Sequence, residues 1–105
     1  MKPIDFRNET WADVISRVDT MRRAVYRALQ LHGACTTREL AAKSGIDLLN
    51  VRPRVTELYQ LGLVELVNPD SRGGEGVYQA VPWCQAMHRF EKEKKSAMEA
   101  QLPLL

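Results

Sequence analysis

Three glycines constrain the fold of this chain more than any other feature, because each one ends a segment with helical periodicity. Gly33, Gly45 and Gly62 follow segments in which apolar residues recur every three or four positions. That spacing places the apolar residues on one face of a helix. Glycine commonly follows the last turn of a helix, because it adopts a left-handed backbone conformation without steric cost. The pattern therefore predicts helical units that end at these three positions.

The first unit, residues 10–32, is predicted to be one helix or a pair of helices. Its apolar face contains Trp11, Val14, Val18, Met21, Val25 and Ala28. Thr10 and Asp13 form a capping-box pattern, in which each side chain can satisfy a free amide of the first turn. Either Asp19 or Thr20 can cap a second helix, so both arrangements remain open.

Residues 36–62 are predicted to form two helices joined by a turn. Thr36 or Thr37 can cap the first helix. In the second helix, Val51, Val55 and Leu58 are spaced by four and three residues and share one face. The sequence therefore predicts that this segment is the second helix of the same unit.

Pro53 limits where the second of these helices can begin. Proline deep inside a helix removes a hydrogen bond and clashes with the preceding turn, at a cost of about 3 kcal/mol. In the first turn its missing amide hydrogen has no intrahelical partner to lose. We therefore predict that Asn50 is the N-cap and that residues 47–49 belong to the turn.

The segment 63–81 is predicted to form a β-hairpin. Its ends, 63–67 and 77–81, are rich in β-forming residues, and turn-forming residues fill the stretch between them. A further helix is predicted over residues 83–100, with Trp83, Met87 and Phe90 at helical spacing. The predicted fold class is mainly α with a small β-hairpin.

Length and composition indicate one globular domain, residues 1–105. Hydrophobic residues make up 45% of the chain and charged residues 27%, as in ordinary globular proteins. No apolar run is long enough to cross a bilayer, and the first residues lack the apolar stretch of a secretory signal. Two cysteines are too few for a disulfide framework. We therefore expect a cytoplasmic protein with reduced thiols and no membrane partner.

The sequence contains no recognisable catalytic motif. It has no glycine-rich phosphate loop, nucleophile elbow or cluster of carboxylates. The glycines at positions 73, 74 and 76 fall at the hairpin tip, whereas nucleotide-binding loops open a helix. We therefore expect a protein that is not an enzyme and that uses neither a cofactor nor a small-molecule substrate.

Residues 40–64 resemble the helix-turn-helix of winged-helix DNA-binding proteins. The run 40–46, LAAKSGI, is similar to the first helix and turn of MarR-like bacterial regulators, and the run 50–58, NVRPRVTEL, is similar to small phage and prophage winged-helix proteins. With the hairpin as the wing, the resemblance covers about residues 20–81. It implies a winged helix-turn-helix with additional N- and C-terminal helices. The pattern departs from the regulators at Pro53, where they usually carry a polar or basic residue.

The side of the second helix that lies opposite its apolar face carries hydrogen-bonding groups. A helix of this kind fits the major groove, where arginine can bind guanine edges, asparagine can bind adenine edges, and threonine can add a hydroxyl contact. We predict that Asn50, Arg52 and Thr56 read bases. Arg54 is expected to contact a phosphate or to pair with Glu57.

The resemblance implies three further DNA contacts. Thr37 and Arg38 lie where the similar proteins touch the phosphate backbone, so they would position the protein without reading sequence. Arg72, at the tip of the hairpin, is a candidate for insertion into the adjacent minor groove.

A zinc site is an alternative use for the cysteines and histidines of the chain. His32 and Cys35 are separated by two residues, and Cys84 and His88 by three. These spacings are only loosely finger-like, and single thiols and surface histidines are common. Our main interpretation therefore contains no metal.

Together, these observations predict sequence-specific binding of double-stranded DNA by a transcriptional regulator or a phage or prophage accessory protein. The apolar faces of the terminal helices exceed what a small core covers, so we expect a homodimer that forms through them. The alternative is a winged helix that serves as a protein–protein interaction module in a replication or packaging assembly. The low net charge of +2 favours that alternative.

Overall fold

A computed structural model describes residues 4–68 and 75–100 of the chain. Within these ranges the chain forms five helices and three strands. In chain order they are α1 (Trp11–Ser16), α2 (Thr20–His32), β1 (Cys35–Thr36), α3 (Thr37–Ser44), α4 (Leu48–Gln60), β2 (Val64–Leu66), β3 (Val77–Ala80) and α5 (Trp83–Glu99). No helix of the described ranges has the length and hydrophobicity needed to cross a membrane.

Side-chain caps explain where the first three helices begin. Thr10 and Asp13 form the predicted capping box at α1. Asp19 caps α2 by accepting a hydrogen bond from the amide of Arg22, so the first unit is a pair of helices. Thr36 caps α3. The three glycines of the sequence pattern all have positive φ and follow α2, α3 and α4, as predicted.

The prediction that Asn50 caps α4 is wrong. Asp47 is the N-cap: its side chain accepts a hydrogen bond from the amide of Leu49, and its carbonyl accepts one from the amide of Val51, both at 3.0 Å. Pro53 is therefore the sixth residue of the helix rather than a first-turn residue. Burial of the apolar face of α4 outweighs one missing hydrogen bond, because fully burying a valine or leucine contributes about 1.5–3 kcal/mol.

The three strands form one antiparallel sheet in the order β1-β3-β2. The predicted hairpin pairs β2 with β3, and Glu65 lies opposite Gln79. β1 adds to the free edge of β3, where Cys35 lies opposite Tyr78. The predicted hairpin is thus present and is extended by a short third strand. Residues 69–74 of the loop, which include Arg72, lie outside the described residues.

One hydrophobic core joins the helices to the sheet. Its members with relative exposures of 0–1% are Val14, Val25, Leu29, Leu40, Val51, Val55, Leu58, Leu63 and Val81. The hydroxyl of Tyr26, which is also buried, donates a hydrogen bond to the carbonyl of Val81 at 2.6 Å. This burial raises the pKa of Tyr26. The bond ties α2 to the end of β3.

An aromatic cluster joins the N-terminal part of the chain to α5. The ring of Trp11 lies 5.5 Å from the rings of both Trp83 and Phe90, and Phe6 lies 5.5 Å from Phe90. Part of the apolar surface on the two terminal helices is therefore buried within the chain itself.

The order α2, β1, α3, α4, β2, β3 is that of a winged helix-turn-helix, to which α1 and α5 are added at the two ends. The predicted fold class and the resemblance to winged-helix proteins are confirmed. In this arrangement α4 occupies the position of the second helix of the helix-turn-helix, and the β2–β3 hairpin is the wing.

Candidate nucleic-acid interface

The outer face of α4 is the most distinctive polar surface of the helix-turn-helix. Its inner residues, Val51, Val55 and Leu58, are no more than 1% exposed, which fixes the rotation of the helix about its axis. Arg52 and Thr56 are exposed on the other side, as are Pro53 and Gln60. The predicted inward apolar face is therefore confirmed, whereas the outward side combines these polar groups with the exposed side chains of Leu49 and Tyr59, which are 79% and 51% exposed.

Three of the predicted contact residues line one shallow depression. Thr37, at the start of α3, lies beside Arg52 and Thr56 of α4, and the root of the wing closes the other side with Glu75 and Gly76. The hydroxyl of Thr56 donates to the carbonyl of Arg52 at 3.1 Å. Its oxygen can still accept a hydrogen bond from outside the protein. Tyr78 of β3 also lines the depression, which thus combines a guanidinium, two threonine hydroxyls, a phenol and a carboxylate.

Asn50 is separated from the other two predicted base-reading residues. Because each helical residue turns by about 100°, Asn50 lies roughly 160° around α4 from Arg52. It shares its side of the helix with Arg54, away from the depression. The structure therefore brings Arg52 and Thr56 together and leaves Asn50 apart from them. A base contact by Asn50 stays a prediction.

Arg54 belongs to a charged network between α2 and α4. Its Nη2 donates to Oε1 of Glu57 at 3.2 Å. The other carboxylate oxygen of Glu57 accepts from Nε of Arg22, whose Nη1 lies 2.8 Å from Oδ2 of Asp19. Of the two roles predicted for Arg54, the structure contains the pairing with Glu57. A phosphate contact by Arg54 stays a prediction.

The same network stabilises the charged form of Asp19. The pKa of this carboxyl is lowered, first by the hydrogen bond from the backbone amide of Arg22 and then by the positive charge of the Arg22 side chain. Asp19 therefore caps α2 and at the same time holds Arg22 toward α4.

Arg38, the other predicted phosphate contact, projects from α3 toward the wing. Its Nε donates to Oε1 of Glu75 at 3.0 Å. This ion pair crosses from the helix-turn-helix to the root of the wing. A phosphate that contacts Arg38 would have to displace the Glu75 carboxylate from the guanidinium or share the guanidinium with it.

The four residues considered for zinc do not form a metal site. Within residues 4–68 and 75–100, no group of three or more histidine, cysteine, aspartate or glutamate residues could hold a metal ion. Cys35 is buried whereas Cys84 is exposed. Burial raises the pKa of the Cys35 thiol, which favours its protonated form. The structure therefore does not support zinc binding by His32, Cys35, Cys84 and His88.

The sequence analysis missed three residues that shape this surface. They are Glu75 and Asn68, at the root of the wing, and Arg22, which contacts Glu57 of α4. Asn68 accepts a hydrogen bond from the amide of Val77 at 2.7 Å and so closes the root of the wing. The only sequence signal for Asn68 is its place directly after a strand, where asparagine often bonds to the backbone. The partners of Glu75 and Arg22 are more than 30 residues away, so no local pattern reveals them.

Several solved structures match this fold. BpsR of Bordetella bronchiseptica, described as a protein whose DNA binding is regulated by 6-hydroxynicotinic acid, matches with a TM-score of 0.56 and 22% identity over 84% of this chain and 70% of that chain. A possible transcriptional regulator from Methanosarcina mazei matches with a TM-score of 0.58 and 14% identity over 86% of this chain and 80% of that chain. A probable transcriptional regulator from Pseudomonas aeruginosa matches with a TM-score of 0.51 and 21% identity over 90% of this chain and 74% of that chain.

At these identities the matches show a shared fold, and a fold does not by itself fix a function. No protein-family model matches the sequence, and no curated protein matches it. The function is therefore inferred from the outer face of α4 and the depression beside the wing.

Proposed function

We propose that this chain is a transcriptional regulator that binds double-stranded DNA sequence-specifically by placing α4 in the major groove. The observation that carries the proposal is the outer face of α4, where Arg52 is exposed and has no ion-pair partner among the described residues. A helix with its side chains is about 10–12 Å wide, which matches the width of the B-DNA major groove. Arg52 can therefore reach a guanine edge while Thr56 contacts a neighbouring base.

The charges around α4 support this orientation. Arg38 of α3 and Arg52 of α4 both lie beside the root of the wing, where a duplex would also meet Thr37. Arg22 and Arg54 are held by Glu57 on the opposite side, against α2. We therefore assign base reading to Arg52 and Thr56, and backbone positioning to Thr37 and Arg38. Arg54 is left out of this minimal set because Glu57 holds its guanidinium.

The three structures that share the fold are described as regulators or as a DNA-binding protein, so we favour a regulator over a phage accessory protein. A regulator acts by binding, and we expect no catalytic activity. We propose that α4 and the wing form a single contact surface, with Arg72 as a candidate minor-groove contact.

The proposal can be tested by selecting a preferred duplex from a random library and measuring affinities by fluorescence anisotropy. Arg52→Ala should weaken binding to the selected duplex by about 1–3 kcal/mol and should change binding to a random duplex much less. Arg38→Ala should weaken both duplexes alike, because a phosphate contact carries no sequence information. Arg27→Ala is the matched control, since Arg27 is exposed on α2 and lies away from α4.

Salt dependence separates this proposal from a protein–protein interaction module. A DNA-binding protein that makes several phosphate contacts loses affinity steeply between about 50 and 200 mM salt. An interaction module should bind neither duplex. Failure of the selection to enrich any sequence, together with no binding to random duplex at low salt, would contradict the proposal.

We further propose that the chain acts as a homodimer that pairs through α5. Trp83, Met87 and Met98 remain 40%, 42% and 53% exposed after α1 has packed against α5. They lie within about 60° of one another around the helix, so they form one apolar edge. A dimer would bind two half-sites about one helical turn apart. Sedimentation equilibrium should give twice the chain mass for the wild type and the chain mass for Met87→Glu; a wild-type monomer would contradict the dimer.

A further inference from the structure

The root of the wing carries an acidic residue, Glu75, beside a side chain that bridges the two strands. Asn68 forms this bridge: its Oδ1 accepts from the amide of Val77 at 2.7 Å, and its Nδ2 donates to the carbonyl of Glu75 at 3.5 Å. At the next residue, Gly76, an added Cβ would lie 3.0 Å from Cδ1 of Leu66 and 3.1 Å from the ring of Tyr78, so a side chain there would require these neighbours to shift. The backbone of Glu75 and Gly76 is thus packed against the wing.

From this position Glu75 reaches the start of α3. Its Oε1 accepts the hydrogen bond from Nε of Arg38, and the two side chains are 43% and 68% exposed. An ion pair this open to solvent is weak and readily exchanged for another partner. A phosphate oxygen is such a partner, since arginine binds phosphate and carboxylate with the same fork of N–H donors.

The carboxylate also lies inside the depression that contains Arg52 and Thr56. A negative charge on a surface that meets the DNA backbone opposes binding, because like charges across an interface repel. Glu75 is solvent-exposed and lies outside the hydrophobic core, and its side chain contacts Arg38. Its position therefore bears on what the surface binds.

We propose that Glu75 is an internal competitor of the DNA backbone for Arg38. In the free protein Glu75 holds the guanidinium, and on binding a phosphate takes its place, so that each binding event includes this exchange. The inference rests on the proposed function. Because Arg38 contacts the DNA backbone and not the bases, the exchange weakens binding to every duplex by a similar factor. It also makes the DNA affinity depend less steeply on salt concentration.

The test is a double-mutant cycle measured by fluorescence anisotropy on a random duplex and on the selected duplex. Glu75→Gln keeps the shape of the side chain and removes its charge. We expect it to raise affinity for both duplexes about two- to fivefold at about 100 mM salt, the range measured for exposed ion pairs. The slope of log affinity against log salt should become steeper by about one at most, because one more positive charge faces the phosphates.

The Arg38→Ala background distinguishes competition from simple repulsion. If Glu75 acts through Arg38, then Glu75→Gln should change affinity by less than about 1.5-fold once Arg38 is absent. The matched control is Glu93→Gln, which removes the same charge from an exposed position on α5 away from the edge of Met87 and Met98. Thermal unfolding of each variant verifies that the fold is retained.

The outcomes distinguish a failure of this inference from a failure of the proposed function. If the wild type binds duplex but Glu75→Gln leaves affinity and salt slope unchanged, the inference is wrong and the proposed function stands. An equal gain in the Arg38→Ala background would also overturn it, because Glu75 would then act without Arg38. If the wild type binds no duplex at all, the proposed function and this inference fail together.

Discussion

Glu57→Gln tests whether the charged network between α2 and α4 fixes the helix that we propose to enter the groove. The Glu57 carboxylate contacts two guanidinium groups: Oε2 accepts from Nε of Arg22 and lies 3.1 Å from Nε of Arg54, and Oε1 accepts from Nη2 of Arg54. The Glu57, Arg22 and Arg54 side chains are only 18%, 16% and 26% exposed, so water replaces the lost charge poorly. Nε of Arg54 is already buried without a hydrogen bond of its own.

The size of the effect follows from these contacts. Hydrogen bonds to charged groups contribute about 1.5–3 kcal/mol each, and removing one member of a partly buried ion pair leaves the other charge uncompensated. Glutamine keeps one acceptor oxygen but turns its NH2 toward the second guanidinium. We therefore expect Glu57→Gln to lower the free energy of unfolding by about 1–3 kcal/mol, and the melting temperature by roughly 4–8 °C per kcal/mol.

Urea denaturation followed by circular dichroism measures this change directly. Glu93→Gln is the control, because it removes the same charge from an exposed position on α5. A cycle with Arg22→Met isolates the coupling energy between the two helices. If Glu57→Gln unfolds at the same urea concentration as Glu93→Gln, or if the coupling with Arg22 is zero, the reasoning about this network is refuted.

Two further predictions concern the helix ends and the interior of α4. Pro53→Ala should stabilise the protein by about 1–3 kcal/mol, because it restores an amide that can bond to the carbonyl of Leu49; a lower urea midpoint would show that Pro53 is not inside the helix. The pKa of Glu39 is lowered, chiefly by the hydrogen bond from the amide of Thr36, and that of Asp13 by the amide of Thr10. Their stabilisation is therefore complete above the ordinary pKa values of 4.5 and 3.8 and is lost as pH falls through the lower folded values. The urea concentration at the unfolding midpoint should decrease as the pH is lowered below about 4.5, and Glu39→Gln should make that decrease smaller. A wild-type midpoint that stays constant down to about pH 3 would contradict this.

The position of α4 shows how a correct local rule gave a wrong helix start. The rule that proline avoids helix interiors placed the cap at Asn50. In the structure Asp47 caps the helix three residues before Asn50, and the buried face of α4 stabilises the helix through Pro53. Local propensity was outweighed by tertiary burial, which depends on residues far away in the sequence.

What the sequence alone determined is the order of the predicted helical units and the hairpin, without β1, and the inward face of α4. Thr10, Asp19 and Gly33 act within a few residues of themselves, so their effects can be predicted without knowing the rest of the fold. The alternation of apolar residues in α4 likewise settles which side faces the core.

Only the tertiary structure decided which charges lie together. The pairing of β1 with β3, the contact of Arg22 with Glu57, and that of Arg38 with Glu75 each join residues more than 30 positions apart. Such contacts depend on how the helices and the sheet pack, and side-chain type alone does not specify a partner. For this reason the sequence identified the arginines but could not tell which of them are held by a carboxylate and which, like Arg52, face outward.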